Sequence, residues 1–121
     1  VGTLPYCAPE VVETPSRLLP PADVYSLGVA VWEMSTGLYP WEELLAHGRL
    51  KELKQRVVTF AERPNAQSCP PPLQTLMKAC WAASPSARPT FSDLATIDMA
   101  SLCSSVQTLH QLHLAVWKRN K

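Results

Sequence analysis

Four cysteines and three histidines are the residues of this 121-residue sequence best suited to hold a metal or act as soft nucleophiles. Cys7, Cys69, Cys80 and Cys103 are irregularly spaced and include no closely paired ligands, so neither a metal-binding pattern nor a disulfide framework is written in them. A zinc centre would need Cys103, His110 and His113 to converge with a fourth ligand, and two histidines three apart on a helix face are more often plain polar positions. The four thiols read as free. Among the charged residues, Glu10 and Arg88 lie far apart in sequence and by themselves read as two solvated charges. Asp23 stands near the start of an apolar run, where a carboxylate can accept unpaired backbone N–H groups and meet the positive end of a helix dipole. Trp32 and Trp81 read as core, and Trp41, which follows Pro40, as a packing residue. No catalytic or metal-binding set emerges from these positions.

The elements that must hold them are helical and separated by long connections. Twelve prolines are about twice ordinary usage for such a length, and each removes a backbone donor and restricts φ. Val1 to Pro21 carries Pro5, Pro9, Pro15, Pro20 and Pro21, which predicts loop with one helical turn after Pro9. From Ala22 to Thr36 the run VYSLGVAVWEM leaves only Ser26 and Glu33 plainly polar. No wet face can be drawn around it, which predicts a buried helix stopped by Gly37. A short amphipathic segment over Glu42 to Ala46 ends near Gly48. Leu50, Leu53, Val57 and Val58 fall at helical spacing, with Lys51, Glu52, Lys54 and Arg56 on the wet side, predicting a second short helix. Arg63 to Pro72 is loop. Leu73, Leu76, Met77, Cys80 and Trp81 form one apolar stripe and predict a helix over 73–81. Ser84 to Pro89 is a proline-bounded turn, after which Ser92 and Asp93 are placed to cap a last helix. Leu102, Val106, Leu109 and Val116 trace its weaker stripe toward the basic end Lys118, Arg119 and Lys121. No strand pattern and no internal repeat stands out, so the fold class is mainly α.

Charge and length exclude several classes. Eleven Lys and Arg against ten Asp and Glu give a net charge of +1, too little positive field for sequence-independent nucleic-acid binding. No apolar run approaches the roughly 18 residues of a spanning helix, and the N-terminus lacks a signal-peptide pattern. Neither a nucleic acid nor a membrane is therefore an expected partner, and the expected location is cytoplasmic. The sequence opens on Val1 rather than Met, which suggests a fragment or a processed product.

Three blocks, in order, resemble the C-terminal portion of a eukaryotic protein kinase domain. GTLPYCAPE, Gly2 to Glu10, is similar to the end of an activation segment with its A-P-E. ADVYSLGVAVWEMSTGLYPW, Ala22 to Trp41, resembles the central buried helix of the lower lobe and the turn after it. CWAASPSARPTF, Cys80 to Phe91, resembles the turn that carries the family's buried arginine. The resemblance implies a helical C-lobe fragment lacking the β-rich N-lobe, divided into the end of the activation segment (1–21), a helical core (22–91) and a final helix with a basic tail (92–121). It implies that Glu10 and Arg88 form a buried ion pair, and that Asp23 accepts backbone N–H bonds from the catalytic loop. It also assigns Gly2, Thr3 and Tyr6 to the substrate-facing loop, with Trp32 and Trp81 structural. The Gly-Thr pair followed by a Tyr matches Ser/Thr-type kinases. The Cys-Trp and Arg-Pro-Thr-Phe block is shared with the tyrosine-kinase-like group, so the implied parent is a tyrosine-kinase-like Ser/Thr enzyme.

Phosphoryl transfer needs a glycine-rich loop over the phosphates, a strand lysine with its glutamate, a catalytic aspartate, and an Asp and an Asn for the metal. This sequence contains no glycine-rich phosphate loop and no H-R-D, D-F-G or V-A-I-K pattern, and Lys51, Lys54 and Lys78 fall in helical contexts. ATP and magnesium are thus expected of the intact parent, and no cofactor of this chain, which is expected to be inactive alone. Two functions follow. One is a portion of a kinase that phosphorylates a protein substrate; the alternative is a non-catalytic, kinase-like interaction module. Because Val24 to Met34 is apolar on every side, the chain by itself is expected to expose a large apolar patch and to self-associate.

Overall fold

The computed structural model describes residues 4–96, and every regular element among them is helical. Proline sets where these helices begin. Helices α1 (Pro9–Glu13), α2 (Pro20–Thr36) and α5 (Pro71–Cys80) all open on proline, which loses no hydrogen bond in a first turn and already carries helical φ. The residues just before the first two, Ala8 at ψ 148° and Leu19 at ψ 170°, are extended, as a following proline requires. The stretch predicted to be mostly loop is therefore more helical than expected. It holds a 3₁₀ turn at Leu4–Tyr6, α1, and a second 3₁₀ turn at Pro15–Arg17.

Helix α2 is the spine. It begins two residues earlier than periodicity indicated and ends at Gly37, whose left-handed φ of 70° lets its N–H donate to the Glu33 carbonyl. Ala22, Val24, Tyr25, Gly28, Val29, Val31, Trp32 and Ser35 are buried, and the main packing partner is α5. Tyr25, Val29, Trp32, Leu73, Met77 and Trp81 form the centre of this core. At Gly28 the two helices approach so closely that an added Cβ would stand 2.8 Å from the Cys80 Cβ. Burial does not run all the way round. Asp23, Leu27 and Met34, spaced to share one side of the helix, are exposed, Leu27 by 38% and Met34 by 63%.

A smaller core of Leu44, Leu53 and Val57, with Leu4, Trp41 and Leu45 against it, joins α3 (Glu42–Ala46) to α4 (Leu50–Lys54). Continuous α-helix was expected through Val58, yet after Lys54 the chain widens into a π turn over Gln55–Thr59, where the Phe60 N–H donates to the Gln55 carbonyl at 3.2 Å. The extra residue in the turn is followed by Ala61 at a left-handed φ of 51°. Helix α6 (Phe91–Ala95) is capped by Thr90 and not by Ser92. The Asp93 N–H donates to Thr90 Oγ1 at 3.1 Å and the Thr90 N–H to Asp93 Oδ2 at 3.0 Å, a reciprocal capping box. The remainder of the expected last helix and its basic end lie outside the described residues. No helix among the described residues is long and apolar enough to cross a membrane.

Candidate functional site

The segment from Leu4 to Glu13 is fastened to the helical base at two points. At its C-terminal end, Glu10 lies in the first turn of α1, 7% exposed, and Arg88 follows the 3₁₀ turn Pro85–Ala87 with a fully buried side chain. Arg88 Nη1 donates to Glu10 Oε2 at 2.8 Å and Nη2 to Oε1 at 2.9 Å, a bidentate pair across 78 positions of sequence. The same guanidinium donates from Nε to the Ala82 carbonyl at 2.9 Å and from Nη1 to the Pro21 carbonyl at 3.0 Å. Its donors thus tie α1, the start of α2 and the end of α5 together. Burial works to raise the Glu10 carboxyl, but hydrogen bonds and charge from Arg88, helped by Arg17, outweigh it and hold the group below its ordinary range.

The second fastening is at Tyr6. Its hydroxyl donates to Glu33 Oε2 at 2.7 Å, and Ser26 Oγ donates to the Tyr6 carbonyl at 2.7 Å, so both ends of the residue are held by α2. The bond to Glu33, then burial and the Glu33 charge, push the Tyr6 phenol up to about 12. Glu33 and Ser26 carry no sequence signal beyond being the two polar residues of an apolar run; their spacing of seven puts them on one face of the helix.

The other expected positions fall elsewhere. Asp23 is the fourth residue of α2, exposed, and does not cap it; the helix opens on Pro20 and Pro21, which have no N–H, and the Ala22 N–H already donates to the Leu19 carbonyl at 2.9 Å. Trp32 is core, with Nε1 donating to the Asn65 carbonyl at 2.8 Å, and Trp81 is core at the end of α5. Trp41 packs beside Leu44 at a left-handed φ of 57°. Cys7, Cys69 and Cys80 are free thiols. Gly2, Thr3, Cys103, His110 and His113 lie outside the described residues. Two contributors escaped the sequence reading altogether. Tyr25 lies beneath two guanidiniums, with Arg63 Cζ 5.1 Å and Arg88 Cζ 5.2 Å from the ring centroid.

Lys51, Lys54 and Lys78 are exposed on α4 and α5, and no group of three or more His, Cys, Asp or Glu side chains is gathered among the described residues as a metal requires. What the arrangement can do is hold the Leu4–Glu13 segment against a helical platform.

The family model for protein tyrosine and serine/threonine kinase matches residues 2–97. Over 116 residues the chain is 33% identical to mitogen-activated protein kinase kinase kinase 10 of Xenopus laevis, an alignment covering 92% of this chain and 11% of that protein. It is 33% identical over 101 residues to the serine/threonine/tyrosine-protein kinase HT1 of Arabidopsis thaliana, covering 80% and 24% of the two chains. With the megakaryocyte-associated tyrosine-protein kinase of Rattus norvegicus the identity is 38% over 87 residues, covering 71% and 18%. The chain therefore spans at most 24% of the length of these relatives. Every strong feature of the matched region, from the glutamate of A-P-E to the arginine before Pro89, is part of one packed helical unit, and the chain belongs to the protein tyrosine and serine/threonine kinase family, covering part of the domain's helical lobe.

Proposed function

We propose that this stretch is the substrate-facing part of a Ser/Thr-type kinase of the tyrosine-kinase-like group, an enzyme that uses ATP and magnesium to phosphorylate a protein substrate. Gly2, Thr3 and Tyr6 face the substrate peptide, and Glu10 with Arg88 keeps their loop in place. The observation that carries this reading is the buried bidentate pair, which fixes the downstream end of the loop to the base of the lobe. Tyr6 supports it, because a phenol bonded to Glu33 and a carbonyl bonded to Ser26 leave the loop little freedom to move off α2. Asp23 has an exposed carboxylate, open to backbone donors from a catalytic loop. Phosphoryl transfer is chiefly positioning and charge neutralisation, and this part contributes positioning of the acceptor.

The test compares the 121-residue chain with the longer kinase we propose, each given labelled ATP, magnesium and a generic basic protein. The chain alone should incorporate no phosphate above a vector control. The longer protein should label serine and threonine. Label confined to tyrosine would overturn the Ser/Thr assignment, and no label at all would favour the non-catalytic interaction module.

A further inference from the structure

Arg63 is half-buried, yet among the described residues it forms no ion pair. Its donors go to backbone. Nε donates to the Trp81 carbonyl at 2.8 Å, and Nη1 donates to the Glu62 carbonyl at 2.8 Å and the Val57 carbonyl at 3.2 Å. Arg88 takes the next carbonyl along, Ala82. Consecutive carbonyls just beyond the C-terminal end of α5, at the cap residue Trp81 and at Ala82, thus receive one guanidinium each, near the negative end of the helix dipole, and the Tyr25 ring lies under both.

Two positive charges share this place with one carboxylate, so the arrangement works against itself unless the second guanidinium contributes something. Burial and then the Arg88 charge both lower the Arg63 guanidinium from its ordinary value, while Tyr25 and Glu10 oppose them. A lysine could reach one carbonyl, but only a planar fork can bond the Trp81 and Glu62 carbonyls while lying over a ring. Arg63 therefore fixes how far the end of α5 stands from Tyr25, and that spacing is the seat of Arg88.

We propose that Arg63 is a positioning residue for the clamp: through the Tyr25 ring and the Trp81 carbonyl it holds the Arg88 guanidinium in bidentate register with Glu10. Its consequence for a substrate peptide rests on the reading of the Leu4 to Glu13 segment given above, but the geometry itself does not. The experiment follows the side-chain carboxyl of Glu10 by ¹³C NMR titration in the full chain and in the Arg63→Lys and Arg63→Met variants. The groups facing Glu10 are Arg88, Arg17, Cys7 and Tyr25, with Arg63 further out, and none but Arg63 is altered.

Arg63→Lys is the decisive variant, because it keeps the charge and removes the fork. Its Glu10 midpoint should rise toward the ordinary glutamate value by about half a pH unit, and that of Arg63→Met by more. An unchanged midpoint in Arg63→Lys would overturn the proposal, as would a rise confined to Arg63→Met, which reports lost charge alone. If Arg63→Met does not fold, Arg63→Lys still decides. Phosphate transfer is not read, so failure of the kinase reading leaves this result standing.

Discussion

Glu10 is charged in a place that should neutralise it. Desolvation favours the protonated acid, and the two parallel N–H···O bonds from Arg88, with a backbone hydrogen bond and the charges of Arg88 and Arg17, keep the carboxylate ionised. Removing one partner is costlier than removing both, since the survivor keeps its desolvation penalty without its attraction. Arg88→Met should therefore cost about 3–5 kcal/mol in urea unfolding, and Glu10→Leu with Arg88→Met together should cost less than Arg88→Met alone. The same pair sets an acid limit. Because the folded-state value of Glu10 lies below its unfolded value, its contribution is complete above the ordinary glutamate range of about 4.3 and is lost as pH falls through the lower folded value. Urea midpoints measured from pH 7 downward should hold level and then drop, and Glu10→Gln should flatten that drop. At Tyr6 the sign is opposite. A phenol raised to about 12 favours the fold while neutral, so its bond to Glu33 should persist through pH 10 and be lost near 12. Burial raises the Tyr25 phenol as well, so ultraviolet titration should show two late-ionising tyrosines, of which one remains in Tyr6→Phe.

Helices α2 and α5 meet through a missing side chain. In an isolated helix Gly28→Ala would stabilise by about 1 kcal/mol. Here the new Cβ falls 2.8 Å from another Cβ and 3.3 Å from the Met77 carbonyl, neither of which can swing away. Forcing the helices apart costs about 1–3 kcal/mol, so the net effect should be destabilising in a urea melt. A variant as stable as the parent would show that the two helices separate freely. The last described helix gives a smaller, local prediction. Thr90→Ala should lower amide-exchange protection over Phe91–Ala95 by about 1 kcal/mol, while Ser92→Ala should change it by less than about 0.5 kcal/mol. In the sequence, Ser92 and Asp93 together are placed to cap this helix. The helix in fact begins at Phe91, so only Thr90 occupies the position from which a hydroxyl reaches the third N–H.

On the scale of the whole molecule, the long helix α2 has, among the described residues, one buried side and one open side. Leu27 and Met34 lie along the open side of α2, and Leu18, Leu19, Leu38 and Tyr39 are also exposed. Scattered apolar residues need no explanation, but an apolar helix with an uncovered face promotes association. The 121-residue chain alone should sediment as a concentration-dependent mixture of species, and Leu27→Lys with Met34→Lys should reduce it toward monomer without lowering the urea midpoint. A sharp monomeric boundary at all concentrations for the unsubstituted chain would contradict this expectation.

Local chemistry was legible in the residues themselves. Periodicity located α2 and α5 to within two residues, Gly37 marked a helix stop, and three sequence blocks pointed to the family because each is a contiguous run. Such signals act over a few positions: proline sets its own φ, glycine tolerates a left-handed turn, and an apolar stripe repeats every turn. Tertiary structure alone decided that Arg63 and Arg88 share one ring, that Glu33 and Ser26 hold Tyr6, that α2 approaches Cys80 at Gly28, and that α4 widens into a π turn. Each depends on how much water is excluded and which partner arrives from a distant part of the chain, and neither quantity is a property of any short run of residues.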